Sequence, residues 1–209
     1  MTLDDYILAH MEPESDFLKA LRRMAHVHLM NPRMSSGHLQ GRLLKMLVAM
    51  ARPRRVLEIG TYVGYSALCM AEGLTDEGRV VTYEIDDELE DFTRPWIAGS
   101  PVGYRVEFVV GDALQLVPQR GEQFDFVYID GDKRQYIDYY EMALRYTTPE
   151  AFILADNTLW DGHVVDEAYA HEHRTEGINA FNAHVAADPR VETLLLPLRD
   201  GLTIMKKIK

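Results

Sequence analysis

The sequence predicts an α/β fold: a doubly wound, mostly parallel sheet preceded by helices and closed by an antiparallel hairpin. Three observations predict it. Five short β-rich runs alternate with segments long enough for helices. The last two runs are joined by a link too short for a parallel crossover. The N-terminal quarter carries helical rather than strand periodicity.

The elements follow in order. Residues 13–30 place Phe17, Leu21, Met24 and His28 on a loosely periodic helical face, and Leu39, Leu43, Met46, Leu47 and Met50 form a clearer one. The break Ala51-Arg52-Pro53-Arg54 ends this preface. Strands are then expected at 55–59, 79–85, 106–110, 124–129 and 152–155, separated by helix-length segments such as 66–74 and 136–146. Strands linked by such crossovers lie parallel. Runs 191–196 and 202–208, joined by Pro197-Leu198-Arg199-Asp200-Gly201, should pair antiparallel and complete seven strands. With 209 residues, 47% of them hydrophobic, the chain suits one domain: a helical preface over 1–51 and an α/β core over 52–209.

Composition excludes several function classes. No apolar run approaches the roughly 20 residues that cross a bilayer, and MTLDDYILAH carries acids where a signal peptide carries basic residues, so a soluble cytoplasmic protein is expected. The lone cysteine, Cys69, rules out an internal disulfide and a multi-cysteine zinc site. A balance of 22 basic against 33 acidic side chains, net −11, disfavours broad phosphate-backbone binding and suits small or cationic partners.

In such sheets ligands bind beyond the carboxyl ends of the strands. The first run ends in Glu58-Ile59-Gly60-Thr61-Tyr62-Val63-Gly64-Tyr65-Ser66, a strand, a glycine turn and a helix start. Tyr62 stands where a dinucleotide site needs a second glycine, which disfavours nicotinamide and flavin cofactors but not a phosphate-free adenosine ligand. Glu84, closing the second run, lies where an acid commonly accepts ribose hydroxyls. Asp112-Ala113 follows the third with a helix N-cap signature within reach of an adenine edge. Each feature also has a structural reading as a tight connection, a solvated strand end or a cap. Their order at three successive strand ends is what favours a cofactor.

The fourth and fifth runs end in Asp130-Gly131-Asp132-Lys133 and Asp156-Asn157. If these strands are neighbours, two carboxylates lie roughly 5 Å apart and repel unless protonated or bridged by a cation. Asp130, Asp156 and Asn157 offer three hard oxygen ligands suited to Mg²⁺, Mn²⁺ or Ca²⁺. The alternative is that one acid caps a helix while the other pairs with Lys133 or Arg134.

Taken together, the segments MSSGHLQGRLL, LEIGTYVGYSAL, YEID, GDAL, FDFVYIDGDKRQY, ADNTLWDGHVV, DPRVETLLLPL and RDGLTIMKK resemble the cation-dependent S-adenosylmethionine O-methyltransferases, the family of catechol and caffeoyl-coenzyme A O-methyltransferases. The resemblance implies a Rossmann-like methyltransferase fold. It also implies S-adenosylmethionine contacts at Ser36, Glu58, Gly60, Ser66, Glu84, Asp112, Ala113 and Asp130, metal ligation by Asp130, Asp156 and Asn157, and Lys133 as base. A homodimer is suggested as well, and the apolar face of Leu39 to Met50 is compatible with one. Glu150-Ala151 replaces two glycines common in the family, which alters a turn away from the site.

The expected reaction moves a methyl group onto a hydroxyl of a small catechol-like or vicinal-diol acceptor, because a second hydroxyl chelates the same ion. Met34, Tyr136 and Trp160 are candidate pocket walls, each equally readable as packing. His163, His171 and His173, in the variable segment 161–177, are expected to be solvated. The alternative acceptor is hydroxylated uridine in tRNA, for which only Arg22-Arg23 with Arg33, or Arg52-Arg54-Arg55, offers phosphates a surface.

Overall fold

The computed structural model describes residues 1–208, with the side chain of Arg33, one of the basic residues named for tRNA, outside the description. In chain order it forms α1 (Leu3–Ala9), α2 (Asp16–His28), α3 (His38–Ala51), β1 (Arg55–Ile59), α4 (Tyr65–Gly73), β2 (Arg79–Glu84), α5 (Glu90–Gly99), β3 (Val106–Val110), α6 (Ala113–Arg120), β4 (Phe124–Ile129), α7 (Tyr136–Tyr146), β5 (Thr147–Asp156), α8 (His173–Ala186), β6 (Val191–Leu196) and β7 (Leu202–Lys207). The sheet runs in the order β3-β2-β1-β4-β5-β7-β6, with β7 antiparallel to both neighbours. The strand order reverses between β1 and β4, which places a ligand crevice at their carboxyl ends.

Alternation along the strands sorts the two layers. Leu57, Ile59, Val81, Val127, Ile129, Ile153 and Ala155 pack against α6, α7 and α8 through Val117, Tyr140, Ala143, Ile178, Phe181 and Val185. Val56, Val80, Phe126, Tyr128 and Leu154 face the other way, onto Leu44 and Val48 of α3 and Ala67, Met70 and Ala71 of α4. The same parity turns Glu58 and Asp156 toward α3 and α4. Helix α2 forms a third layer, its Leu18, Leu21 and Ala25 resting on Tyr65, Leu68 and Cys69. Cys69 is a free thiol buried in this layer.

Differences from the sequence expectation lie at element ends and in polar helices. Strand β5 begins five residues earlier than the apolar run, because Thr147 already pairs with Phe124. Helix α1, absent from the periodicity reading, has no buried residue and rests on a capping box between Thr2 and Asp5. Glu150 takes φ +66°, so the residue that replaces a glycine there is held in the left-handed region.

Helices α3 and α4 approach closely at Gly41, where an added Cβ would lie 2.6 Å from Cys69 Sγ and 2.8 Å from a Tyr65 ring carbon. That contact sets the position of Gln40, the preceding residue. Gly41→Val is expected to lower stability by about 1–3 kcal/mol through overpacking, read by urea denaturation; an unchanged midpoint would show that the helices can part freely.

Candidate active site

The crevice at the switch point is built from β1 and β4. Gly60, at φ +97°, follows β1 so closely that a Cβ there would sit 2.3 Å from the Asp130 carbonyl oxygen, so only glycine lets the two strand ends meet. Tyr62 also takes a positive φ, and its amide donates to Glu84 Oε2 at 2.7 Å while the Asp86 amide donates to Oε1 at 3.0 Å. Glu84 therefore ties the glycine turn to the end of β2 and keeps further lone pairs. Asp112 caps α6 by accepting from the Leu114 amide at 2.9 Å, and Ala113 is buried beside it. The cap reading of Asp112 is thus realised at the edge of the same crevice.

Glu58 is the most perturbed acid here. It is fully buried, Oε2 accepts from the Thr82 hydroxyl at 2.5 Å, and Oε1 is buried without a hydrogen-bond partner. Burial raises its pKa to about 8, only partly offset by the Ser66 and Thr82 hydroxyls. Ser66, in the first turn of α4, and Ser36, ahead of α3, are both buried. Glu58, Glu84, Asp112 and Asp130 make this crevice acidic.

Beside it, Asp130 and Asp156 end neighbouring parallel strands, directly after the Ile129–Ala155 pair. Asp156 Oδ2 accepts from Gln40 Nε2 at 2.5 Å and from the Tyr128 hydroxyl at 2.8 Å, and Oδ1 accepts from the Asn157 amide at 2.9 Å. Burial holds the Tyr128 phenol well above its usual pKa, so it remains a donor. Asp130 Oδ1 accepts from Lys133 Nζ at 2.8 Å. Lys133 is itself buried and also donates to the Tyr136 hydroxyl at 2.7 Å. Asp132 pairs with Arg134 instead, so half of the structural alternative holds: one acid, Asp130, does pair with Lys133.

A third carboxylate arrives from the turn between β6 and β7. Asp200 Oδ2 accepts from Asn157 Nδ2 at 2.5 Å, and Asp200 Oδ1 is buried with no partner. Burial raises the Asp130 pKa to about 7, and the charges of Asp156 and Asp200 add to the rise against the opposing pull of Lys133. Three carboxylates thus share one directly bonded ammonium. Lone pairs stay free on Asp130 Oδ2 and Asp156 Oδ1, and this oxygen-rich, acid-heavy donor set fits a hard divalent ion. Elsewhere among the described residues, Glu141, His184 and Asp188 bring ligand atoms within 4.8 Å, but the Arg190 guanidinium already bonds both carboxylates and offsets part of their charge.

One pocket expectation needs correction. Tyr136 is wholly buried, packs edge-on to Phe181 and donates to the Asp156 carbonyl at 2.9 Å, so it supports Lys133 from beneath and walls no pocket. His171 and His173 are exposed, as expected, whereas His163 is half-buried and stacks on Tyr169 at 3.6 Å. Met34 is exposed in the segment before α3. Trp160 follows Asn157 in a tight turn, and its indole Nε1 is buried without a partner. Of the seven non-glycine residues at positive φ among the described residues, Tyr62, Asn157, Trp160, Asp161 and Arg199 border this edge of the sheet, the pattern of strain held at a working site.

A model of the O-methyltransferase family matches residues 9–208. The chain belongs to that family. Its O-methyltransferase relatives include caffeoyl-CoA O-methyltransferase 2 of Zea mays, 35% identical over 95% of this chain and 78% of that one. The caffeoyl-CoA O-methyltransferase of Petroselinum crispum is 34% identical over 94% and 85%. Among solved structures, the O-methyltransferase from Bacillus cereus in complex with SAH is 33% identical, with a TM-score of 0.89 and coverage of 99% and 97%. TomG from Streptomyces achromogenes, an O-methyltransferase involved in tomaymycin synthesis and solved in complex with SAM, is 27% identical, with a TM-score of 0.90 and coverage of 99% and 96%.

Gln40, Tyr128 and Asp200 were not singled out as site residues from the sequence. All three lie within the segments that carry the resemblance, and Tyr128 had a further findable signal, two residues before Asp130 on the same strand face. Asp200 looked like hairpin punctuation.

Glu58 supplies a pH test of the O-methyltransferase without ligands. Its carboxyl keeps a proton up to about pH 8 in the fold but releases it above its ordinary value of 4.5 when unfolded. Unfolding then sheds a proton across that window, so this contribution to stability is present below it and is lost as pH rises through it. Glu58→Gln is expected to flatten the decline by up to about 1.4 kcal/mol per pH unit between pH 5 and 8 in urea denaturation; parallel curves for variant and native protein would show Glu58 ionised throughout.

Proposed function

We propose that this O-methyltransferase uses S-adenosylmethionine to methylate a hydroxyl of a small catechol-like or vicinal-diol acceptor, with a divalent cation held by Asp130, Asp156 and Asn157. The observation that carries this reading is the carboxylate pair ending β4 and β5, Asp156 buried and Asp130 half-buried, set directly beside the acidic crevice of β1. Glu84, Asp112 and Asp130 suit a ligand bearing a sulfonium and an ammonium group, Glu58 adds a buried carboxyl whose ionised form a bound cation would favour, and Ser36, Gly60, Ser66 and Ala113 line the ligand closely. The likeness to SAM- and SAH-bound neighbours supports the same choice.

Bound there, S-adenosylmethionine supplies an electrophilic methyl group, which an acceptor oxygen takes in line as the carbon–sulfur bond breaks to leave a neutral thioether. A divalent ion lowers the pKa of a coordinated hydroxyl and favours acceptors with a second hydroxyl beside the first. The chain's own residues do the rest. Lys133, fixed between Asp130 and the Tyr136 phenol, receives the hydroxyl proton at Nζ when it is neutral. Gln40 and Tyr128 hold the Asp156 carboxylate still. Trp160 and Met34 border the acceptor space, and the exposed Met46 and Met50 on α3 leave apolar surface for a second copy of the chain. The cytoplasm is the compartment proposed, in keeping with the absence of any described helix long and apolar enough to cross a membrane.

For a tRNA acceptor, the basic cluster Arg52, Arg54 and Arg55 lies at the amino end of β1, the opposite end of the strand from the site. It offers no phosphate track into the crevice. The acceptor test is a methyl-transfer screen over vicinal phenols and total tRNA, with and without Mg²⁺ or Mn²⁺. Turnover is expected on vicinal phenols only with metal, and transfer to tRNA alone would reject the acceptor class. Asp156→Ala is expected to lower kcat/KM by about 10²–10³-fold; near-native, chelator-resistant turnover in that variant would rule out the metal.

A further inference from the structure

The geometry points to Asp200 as a positioning residue that fixes the amide orientation of Asn157, so that the Asn157 carbonyl oxygen rather than its amino group faces Asp130 and Asp156. The inference rests on the proposed cation site and adds to it a residue outside the ligand set.

An asparagine side chain has an oxygen end and a nitrogen end of nearly equal size, and only the oxygen can ligate a hard cation. Which end faces the site is decided by what holds the other end. Asp200 Oδ2 lies 2.5 Å from Asn157 Nδ2. An ionised carboxylate accepts hydrogen bonds and donates none, so this contact admits only the amino end. Among the described residues Asn157 Oδ1 takes part in no other hydrogen bond, which leaves it free as a ligand. Reversing the amide would press two acceptor oxygens together at a half-buried position, since Asp200 is held in place by its own turn.

The backbone of Asp200 acts independently of its side chain. Its carbonyl accepts from the amides of Leu159 at 2.8 Å and Trp160 at 3.0 Å, and the Gly201 carbonyl accepts from Thr158 at 3.2 Å. These bonds clamp the β6–β7 turn onto the loop that carries Asn157, whatever side chain stands at 200. Gly201, at φ +98°, makes room for the clamp, because a Cβ there would lie 2.3 Å from the Leu159 nitrogen. A side-chain substitution at 200 therefore leaves the loop docked while releasing the amide. The second Asp200 oxygen, buried and unpartnered, adds negative charge near the site without bonding to it.

The test measures Mn²⁺ binding directly, by electron paramagnetic resonance of free Mn²⁺, in native protein, Asp200→Asn and Asp200→Leu, with urea denaturation to confirm folding. Asp200→Leu removes both the acceptor and the charge and is expected to weaken Mn²⁺ binding by at least about tenfold, the usual effect of losing a group that orients a ligand. Asp200→Asn keeps an acceptor oxygen and is expected to lose less than the leucine variant. Affinity within twofold of native in a folded Asp200→Leu would overturn the positioning role, as would equal losses in the two variants, which would assign the effect to charge alone. No Mn²⁺ binding by native protein would instead refute the cation site itself.

Discussion

The constraint on which the rest of the structure depends is the burial of like charges at the ends of two adjacent strands. Parallel pairing of β4 with β5 brings Asp130 and Asp156 to one edge, and the β6–β7 turn adds Asp200. Removing carboxylates from water is costly unless donors or cations replace the solvent. The molecule supplies donors from four elements: Gln40 from α3, Tyr128 from β4, Lys133 from the turn before α7 and the Asn157 amide after β5. Even so, the Asp130 carboxyl stays well above its usual range. A site left short of positive charge in this way is arranged to receive more of it.

That constraint reaches into the packing. Gln40 can meet Asp156 only because Gly41 lets α3 settle against α4, and Gly60 lets β1 close against the Asp130 backbone. Tyr136, expected at a pocket wall, spends its hydroxyl on Lys133 and the Asp156 carbonyl from inside the core. The acid-lined crevice of β1 and the carboxylate cluster are therefore neighbours by topology, since the switch point between β1 and β4 serves both.

Much of this was legible in the sequence, for identifiable reasons. The strand and helix alternation fixed the parallel sheet because apolar runs of strand length, such as 124–129, were cleanly bounded. The strand-end acids were readable because polar residues at the ends of buried strands have few structural excuses. What escaped was whatever depends on distant chain segments. Asp200 is forty-three residues from Asn157, and the turn that carries it reads locally as a hairpin link. Gln40 likewise reads as a polar residue on an amphipathic helix, and its contact with Asp156 spans 116 residues. Helix α1 was invisible to periodicity because it buries nothing. Tyr136 was misplaced because spacing on a helix gives a direction but not a depth.

The most direct measurement of the central claim is anomalous X-ray scattering from crystals of the protein soaked in Mn²⁺. The account predicts a manganese peak bounded by the Asp130 and Asp156 carboxylates and the Asn157 carbonyl oxygen. A fully soaked crystal with no peak there, or with manganese only at Glu141, His184 and Asp188, would contradict it.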